Sequence, residues 1–241
     1  MTVINAMHVF ENKRFEDFDD RDSAIVFSDL EFQRCCFDGC CISVTHNPKL
    51  RSTVRGMRLL NCTASGSSIG KAIVEDVLVE NLKTPGMFQI FGAVFKHVVL
   101  RGKFDRLMIN NEPLPRGDMN PPYDYDNVLA FREANDDYYH RVDWALDISH
   151  GEFKELDIRG VPGHLIRRDP ETQILVTLQR VMEGDWRNLP FRDDLTPFTL
   201  DFMLNQGLTD YVLVAPKRHR KFPIYLEDLQ LLRDAGVAEP D

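Results

Sequence analysis

Two pairs of adjacent cysteines, Cys35–Cys36 and Cys40–Cys41, lie five residues apart in this sequence. Cysteine thiolates can bind zinc, form disulfides or act as nucleophiles, and the first two roles require the sulfur atoms to converge. Adjacent side chains of an extended chain point in opposite directions, so neither pair can close on one metal ion. We therefore predict packing roles for these cysteines, with an exposed reactive thiol at Cys36 or Cys41 as the alternative. We predict no metal and no cofactor.

The segment that contains these cysteines repeats its pattern every five residues. Sixteen such five-residue units, which we call pentads, occur in the segments 25–44, 57–86, 93–102 and 146–165. The first position is apolar in 14 of the 16 pentads and so is the third, whereas the fourth and fifth positions are apolar in only 3 of 32 cases. Because 43% of all residues are apolar, random placement would not give this contrast.

A period of five residues fits neither an α-helix nor a long alternating strand. It is typical of a chain that points its first and third residues inward along a short extended stretch and then turns a corner. Glycine occupies the corner in five places, Gly39, Gly66, Gly86, Gly102 and Gly160. The same phase places Cys35, Cys40 and Cys62 inward, where a free cysteine serves as a small apolar residue.

The pentads "LEFQR" (30–34), "LDISH" (146–150) and "LDIRG" (156–160) resemble the motif of the pentapeptide-repeat family. The resemblance covers 80 of the 241 residues. It implies a right-handed quadrilateral β-helix with four pentads in each coil, a repeat architecture in which every coil stacks on its neighbours. We accordingly expect a mainly β fold, a right-handed β-solenoid of about four coils over residues 25–169, with a loop or helix insertion and an α-helical C-terminal cap.

The composition is that of an ordinary globular protein with an excess of acidic residues. A net charge of −9 disfavours binding to nucleic acid or to an anionic membrane and permits a basic protein partner. The N-terminus lacks the pattern of a signal peptide, and no apolar run approaches the ~20 residues of a membrane span. With five cysteines and no secretory signal, we expect reduced thiols in a cytoplasmic protein.

Residues 110–143 interrupt the repeat with four prolines and several tyrosines among aspartates. We expect a loop that leaves the solenoid, followed by a short helix from residue 127 to about residue 139. Aromatic side chains are favoured in protein interfaces. The candidate partner-binding residues of this insertion are Tyr123, Asp124, Tyr125, Asp126, Tyr138 and Tyr139. The alternative is a solvated insertion whose rings pack back on the solenoid.

Residues 1–24 are predicted to form an acidic lead-in or cap, because the stretch 15–22 contains five acidic residues and two phenylalanines. This stretch could bind a basic partner through Asp17, Asp19 and Asp20. A solvated cap without a partner is the alternative.

After residue 169 the apolar period becomes helical. The apolar stripe in residues 170–186 predicts one helix. Thr196 is the expected N-cap of a second helix, and Gly207 is the expected residue at its C-terminal end. Residues 225–236 predict a third helix, which ends at a glycine.

Residues 170–241 are therefore predicted to form a mainly helical cap or accessory domain, with a short strand at 210–216. The open end of a solenoid exposes backbone and apolar side chains and must be covered. We expect the helices to provide this cover, with a homodimer contact as their alternative role.

The sequence contains no Gly-rich phosphate loop, zinc-protease motif, nucleophile elbow or paired C-x-x-C motif. Asp147, Glu152 and Asp157 recur at five-residue spacing, which directs them to successive sides of a coil and away from a common substrate. We predict no catalytic residues. An enzyme with a Cys/His site where the insertion meets the solenoid is one alternative function.

These observations favour a non-catalytic scaffold that binds another protein, as bacterial inhibitors and immunity proteins do when they cover a partner's surface. A further hypothesis comes from the family resemblance, since some pentapeptide-repeat proteins resemble DNA in shape and charge and inhibit topoisomerases. Basic side chains interrupt any acidic stripe in this chain, namely Lys71, Lys96, Arg101, Lys154 and Arg159. We therefore rank the DNA-mimic hypothesis below the protein-binding one.

Overall fold

The computed structural model describes residues 7–111 and 125–240, with side chains from residue 128 onward in the second range. A 16-stranded sheet dominates the structure, and all of its strand pairs are parallel. Eleven short strands come first: β1 (His8–Glu11), β2 (Arg14–Glu16), β3 (Asp19–Arg21), β4 (Val26–Ser28), β5 (Leu30–Gln33), β6 (Cys36–Asp38), β7 (Cys41–Val44), β8 (Thr53–Arg55), β9 (Arg58–Leu60), β10 (Thr63–Ser65) and β11 (Ser68–Ile69). The prediction of a mainly β fold is confirmed.

Five further strands complete this main sheet: β12 (Ile73–Phe91), β13 (Val94–Asn110), β14 (Leu146–Asp147), β15 (Gly151–Arg159) and β16 (Ile166–Arg167). Short 3-10 turns at Pro48–Leu50 and Gly163–Leu165 lie between strands. Between β13 and β14 the chain forms helix α1 (Tyr125–Tyr139), which confirms the predicted helix and starts it two residues earlier.

The strands stack in four parallel rows, which begin at β1, β2, β3 and β4. The first row runs through β5 and β9, then through parts of β12 and β13, and ends with β14 and β16. The long strands β12 and β13 take part in all four rows, and their mutual pairing shifts register where they turn, between Glu80 and Leu82 and between Leu82 and Met87.

The pairing register follows the five-residue repeat. Leu59 lies opposite Val79, twenty residues later, and Leu146 lies opposite Ile166 at the same spacing. Twenty residues are four pentads, so each inward position lies against the same position of a later pentad. The spacing is larger near the N-terminus, where Thr63 pairs with Cys36, because the segment with the turn Pro48–Leu50 is inserted between them.

The third positions of the pentads form the core of the main sheet. Phe32, Val74, Phe95 and Leu100 are buried in one continuous cluster. Ring stacking repeats the register at the N-terminal end, where the Phe10 and Phe32 ring centroids lie 5.2 Å apart. To form this core, each turn must bring the third residue of its pentad to the same side of the sheet.

The first positions explain the cysteine pairs. Each inward thiol donates a hydrogen bond to a third-position carbonyl on a strand of the neighbouring row, with Cys35 bonded to Phe10 of β1, Cys40 to Phe15 of β2 and Cys62 to Phe32 of β5 at 3.4–3.5 Å. Ser67 breaks the apolar rule at the first position, yet its hydroxyl makes the equivalent bond to Phe37 at 3.3 Å. The first position therefore accepts a small side chain that can donate to this carbonyl, and the inward placement of the three cysteines is confirmed.

The corners between strands adopt left-handed backbone conformations. Four of the predicted glycine corners have positive φ, namely Gly39, Gly66, Gly102 and Gly160, whereas Gly86 lies inside β12 without one. Asparagine and aspartate occupy many of the other corners, among them Asn12, Asp17, Asp22, Asp29, Asn61, Asp76 and Asn81. These two residue types adopt the left-handed region more readily than other non-glycine residues.

The N-terminal segment is part of the main sheet. β1, β2 and β3 lie within the stretch that we predicted as a separate lead-in or cap, and they pair with β5, β6 and β7. The repeat thus begins near residue 8, with asparagine and aspartate corners in place of glycine.

The C-terminal unit combines two antiparallel strands with helices. It contains β17 (Gln173–Thr177), α2 (Leu178–Glu183), a 3-10 turn (Trp186–Asn188), α3 (Leu195–Gln206), β18 (Asp210–Val214) and α4 (Phe222–Asp234). β17 pairs with β18. The predicted strand at 210–216 and the helix that ends near Gly236 are confirmed, and the description as mainly helical is wrong for residues 173–177.

The predicted helix over residues 170–186 is confirmed only at Leu178–Glu183, and residues 173–177 form a strand for a physical reason. Leu175 packs into the core of the main sheet, whereas Ile174 and Val176 pack into the separate core of the C-terminal unit. A strand with both faces buried has a continuous apolar run, which resembles a helical stripe over a short window. The next helix, α3, ends at the predicted Gly207 with φ +63, but its N-cap is Asp194 and Thr196 is buried.

The C-terminal unit covers the last strands of the main sheet. The backbone N–H of Arg218 donates to the carbonyl of Phe153 at 3.0 Å, and the side-chain amide of Gln173 donates to the carbonyl of Ile148 at 3.1 Å. Tyr211 donates to the carboxylate of Asp157, which also pairs with Arg159. These bonds satisfy backbone and side-chain groups that would otherwise face solvent at this end.

Replacement of Gly102 by alanine tests the corner geometry. Gly102 has φ +80, and an added Cβ would lie 2.3 Å from Oδ1 of Asn81, which accepts a hydrogen bond from the N–H of Lys103. We expect Gly102→Ala to lower the free energy of unfolding by about 1–3 kcal/mol in denaturant titrations.

Gly86→Ala is the matched control, because Gly86 lacks a positive φ and has no neighbour within 4 Å of an added Cβ. We expect it to change stability by less than about 0.5 kcal/mol. Equal effects of the two substitutions would contradict the left-handed corner at Gly102.

Candidate functional site

The N-terminal end of the main sheet has unpaired strand edges. In the part of the chain that the structure describes, β1, β2, β3 and β4 each pair with a strand on one side only. Such edges offer backbone N–H and C=O groups to another chain. We call the exposed surface of residues 8–29 the N-terminal end.

Four large apolar side chains are exposed at the N-terminal end. Their exposed fractions are 51% for Val9, 42% for Phe18, 43% for Ile25 and 54% for Val26. Phe18 is held against Phe27, with ring centroids 6.1 Å apart. Exposed apolar clusters with polar surroundings are typical of protein interaction sites.

Exposed carboxylates surround these apolar side chains, namely Glu11, Glu16, Asp17, Asp19, Asp22 and Asp29. Some are neutralised by ion pairs, as Asp19 is by Arg21 at 3.2 Å. Among the described residues, Asp17 and Asp29 make no ion pair, and both lie at left-handed corners. The N-terminal end therefore carries excess negative charge beside its apolar residues.

The three aspartates predicted to bind a partner differ in their positions. Asp17 and Asp19 are exposed at the N-terminal end, whereas Asp20 is buried. Oδ2 of Asp20 accepts a hydrogen bond from the N–H of Ser43 at 3.1 Å, and its other oxygen accepts one from the hydroxyl of Ser23. Asp20 occupies an inward third position, and its described hydrogen bonds stabilise the fold.

The insertion residues are only partly described. Tyr123 and Asp124 lie outside the described residues, and Tyr125 and Asp126 begin α1 without described side chains. Tyr139 is buried in the core of the main sheet, and burial raises its pKa above the ordinary range. Tyr138 is half-buried and donates to the carboxylate of Glu75 at 3.0 Å; burial and this carboxylate raise its pKa. Both described rings thus pack against the sheet.

A buried cation holds α1 on the sheet. Arg51 donates to the carbonyl of Gly92 at 3.3 Å and to the side chain of Asn135, and its guanidinium lies 4.8 Å from the Phe131 ring centroid. Burial lowers the pKa of Arg51 to about 10, which leaves it charged at neutral pH. Phe131, Asn135 and Tyr139 are spaced four residues apart, so one stripe of α1 faces the sheet.

The partly exposed cysteines do not contact a histidine in the described part of the chain. Cys36 accepts a hydrogen bond from Arg14 at 3.5 Å, and Cys41 accepts one from Ser68 at 3.5 Å. Among residues 7–111 and 125–240, neither thiol has a hydrogen bond to a base that would activate it as a nucleophile. The described contacts of both thiols thus lie within the strand rows.

His97 joins two carboxylates at a corner of the main sheet, a contact that the sequence analysis did not identify. Its Nδ1 lies 3.0 Å from Asp76 and its Nε2 lies 2.7 Å from Asp143, while its ring packs on Trp144. The hydrogen bond with His97 lowers the pKa of Asp143. Among the described residues, no group of three or more His, Cys, Asp or Glu side chains is arranged to hold a metal ion. His97 therefore ties the chain after α1 to the main sheet.

Comparison of the chain with protein-family models, with curated proteins and with solved structures gives no match. Among the described residues, no helix combines the length and apolar character needed to cross a membrane. The geometry of the chain itself is therefore the basis for a functional proposal.

Alanine substitution separates the buried aspartate from its exposed neighbour. Asp20→Ala leaves the N–H of Ser43 without its acceptor, so we expect the free energy of unfolding to fall by about 1–3 kcal/mol. Asp19→Ala removes only an exposed ion pair and should change it by less than about 0.5 kcal/mol. Denaturant titration of both variants measures the difference. A stability loss that is as large for Asp19→Ala would contradict these assignments.

Proposed function

We propose that this chain is a non-catalytic scaffold that binds another protein through its N-terminal end. The observation that supports this most strongly is the contrast between the two ends of the main sheet. The C-terminal unit covers the end that contains β15 and β16. At the N-terminal end, the described strands leave backbone edges and apolar side chains exposed.

The chemistry of the N-terminal end defines the partner. Exposed Val9, Phe18 and Val26 would fit an apolar patch, and the surrounding carboxylates would fit Lys and Arg side chains at its rim. The partner would thus be a protein with a basic, partly apolar surface. A rigid scaffold that covers such a surface would act as an inhibitor or immunity-type protein.

We further propose that the four rows wind into a right-handed quadrilateral β-solenoid, as in the pentapeptide-repeat family. The twenty-residue register, the five-residue corner spacing and the inward core support this proposal. The first row contains seven paired segments, β1, β5, β9, parts of β12 and β13, β14 and β16. Such a solenoid would have more coils than the four expected, because residues 8–22 add one at the start.

Mimicry of DNA is less well supported than protein binding. Basic side chains neutralise acidic ones along the rows, in the pairs Arg101–Glu80, Lys154–Asp105 and Arg159–Asp157. An outer surface with these pairs lacks the continuous negative charge of a DNA backbone.

A homodimer contact through the C-terminal helices remains a prediction. Met182, Leu195 and Phe198 on α2 and α3 are exposed, which supports it. Their surface lies on the C-terminal unit, so a homodimer formed there would leave the protein-binding proposal for the N-terminal end unchanged.

Affinity capture with matched variants tests the protein-binding proposal. The immobilised chain is incubated with an extract of its source cells, and retained proteins are identified by mass spectrometry. We expect one basic protein to be retained at 0.1 M salt and released near 0.5 M, because salt screens exposed charges. The double variant Asp17→Asn/Val26→Ser should reduce its retention about tenfold or more.

The control is Leu129→Ser/Asp136→Asn, which makes the same kinds of change at exposed positions of α1. It should retain the partner as the unmodified chain does. Loss of retention in the control alone would refute binding at the N-terminal end. Retention that neither variant nor salt changes would refute it as well.

A further inference from the structure

A cleft of about 600 Å³ lies between the second row of strands and the loop that connects β18 to α4. Its lining residues are Asn61, Asn81, Leu82, Lys83, Lys103, Asp105, Lys154 and Arg218. We call it the basic cleft. Four of these side chains are cationic and one is anionic, in a chain whose net charge is −9. The local charge is therefore opposite to that of the whole protein.

The position of the basic cleft is fixed by the fold. Lys83 and Lys103 belong to β12 and β13, and Arg218 enters from the C-terminal unit. Arg218 is anchored twice, because its N–H donates to the carbonyl of Phe153 at 3.0 Å and its guanidinium donates to that of Phe104 at 2.6 Å. The fold itself therefore places these cations close together.

One carboxylate balances only part of this charge. Asp105 pairs with Lys154 at 2.5 Å and with Arg218 at 3.6 Å, and it accepts a hydrogen bond from the N–H of Thr84 at 3.1 Å. Burial acts to raise the pKa of Asp105, but the bonds from Lys154 and Thr84 outweigh it and hold the pKa below its ordinary value. Asp105 is therefore ionised at neutral pH and is already shared between two cations.

The other two cations are available to a ligand. Lys83 and Lys103 are exposed, and neither makes an ion pair within the described ranges. Glu152 lies in register with Lys103 on the next strand but does not line the cleft. Exposed cations held close together repel each other, and an anion between them would relieve this repulsion.

We propose that the basic cleft binds a small phosphate-bearing anion. Lysine ammonium groups and an arginine are common ligands of phosphate oxygens, and Asn61 adds a side-chain amide that could donate to the same oxygens. A volume of about 600 Å³ suits a small molecule, since such sites are typically ~300–1,000 Å³. This site is separate from the N-terminal end, so the inference does not depend on the protein-binding proposal.

Calorimetric titration with pyrophosphate at low ionic strength tests the inference. We expect one pyrophosphate per chain, weaker binding of orthophosphate and loss of affinity on addition of salt. The double variant Lys83→Gln/Lys103→Gln should weaken binding about tenfold or more, because two charge-assisted contacts are removed. Asp105→Asn should instead tighten binding, because it removes the carboxylate that competes with the ligand.

Lys49→Gln/Arg55→Gln is the matched control, since it removes two exposed cations that lie outside the N-terminal end and do not line the cleft. It should bind pyrophosphate as the unmodified chain does, and thermal unfolding of each variant checks that the fold is intact. Absence of binding at millimolar pyrophosphate, or equal loss in the control, would overturn the proposal. Citrate that binds as tightly as pyrophosphate would overturn the assignment to phosphate.

Discussion

The parallel pairing of residues about four pentads apart along the chain is the constraint on which the rest of this structure depends. It brings the third position of one pentad onto the third position of a later one, as Leu59, Val79 and Leu100 illustrate. It also places the first-position donor within reach of a carbonyl on a strand of the neighbouring row, as Cys62 is within reach of Phe32. Ser67 makes the equivalent bond to Phe37, so cysteine and serine can take the same role at this position. The inward placement of Cys35, Cys40 and Cys62 thus follows from the register.

The same register determines where function can reside. A sheet that repeats along one direction has two ends and an outer surface, and its interior holds one cluster of buried apolar side chains. One end is covered by the C-terminal unit, whose strand β17 contributes Leu175 to the main core. The other end combines exposed apolar side chains with carboxylates. The basic cleft lies where the outer surface meets the covering unit, so the two proposed sites use different parts of one rigid support.

The sequence was sufficient to predict the elements whose spacing is regular. The pentads of residues 57–86 follow from the period of five, and helix α1 and the strand at 210–216 were also predicted. β1–β3 were missed because aspartate and asparagine turn their corners, and an acidic stretch is easily taken for a solvated tail. β17 was mistaken for a helix because two cores bury its opposite faces. The basic cleft was not predictable, since Lys83, Lys103 and Arg218 meet only through strand stacking and the C-terminal unit.

Nuclear Overhauser effects between backbone amides in the deuterated, assigned protein test the pairing register most directly. The register predicts cross-strand contacts between the neighbourhoods of Leu59 and Val79 and between those of Val79 and Leu100, with no contact of Leu59 to Leu100. Contacts typical of antiparallel hairpins or of helices across residues 57–102, in place of this parallel series, would contradict the account.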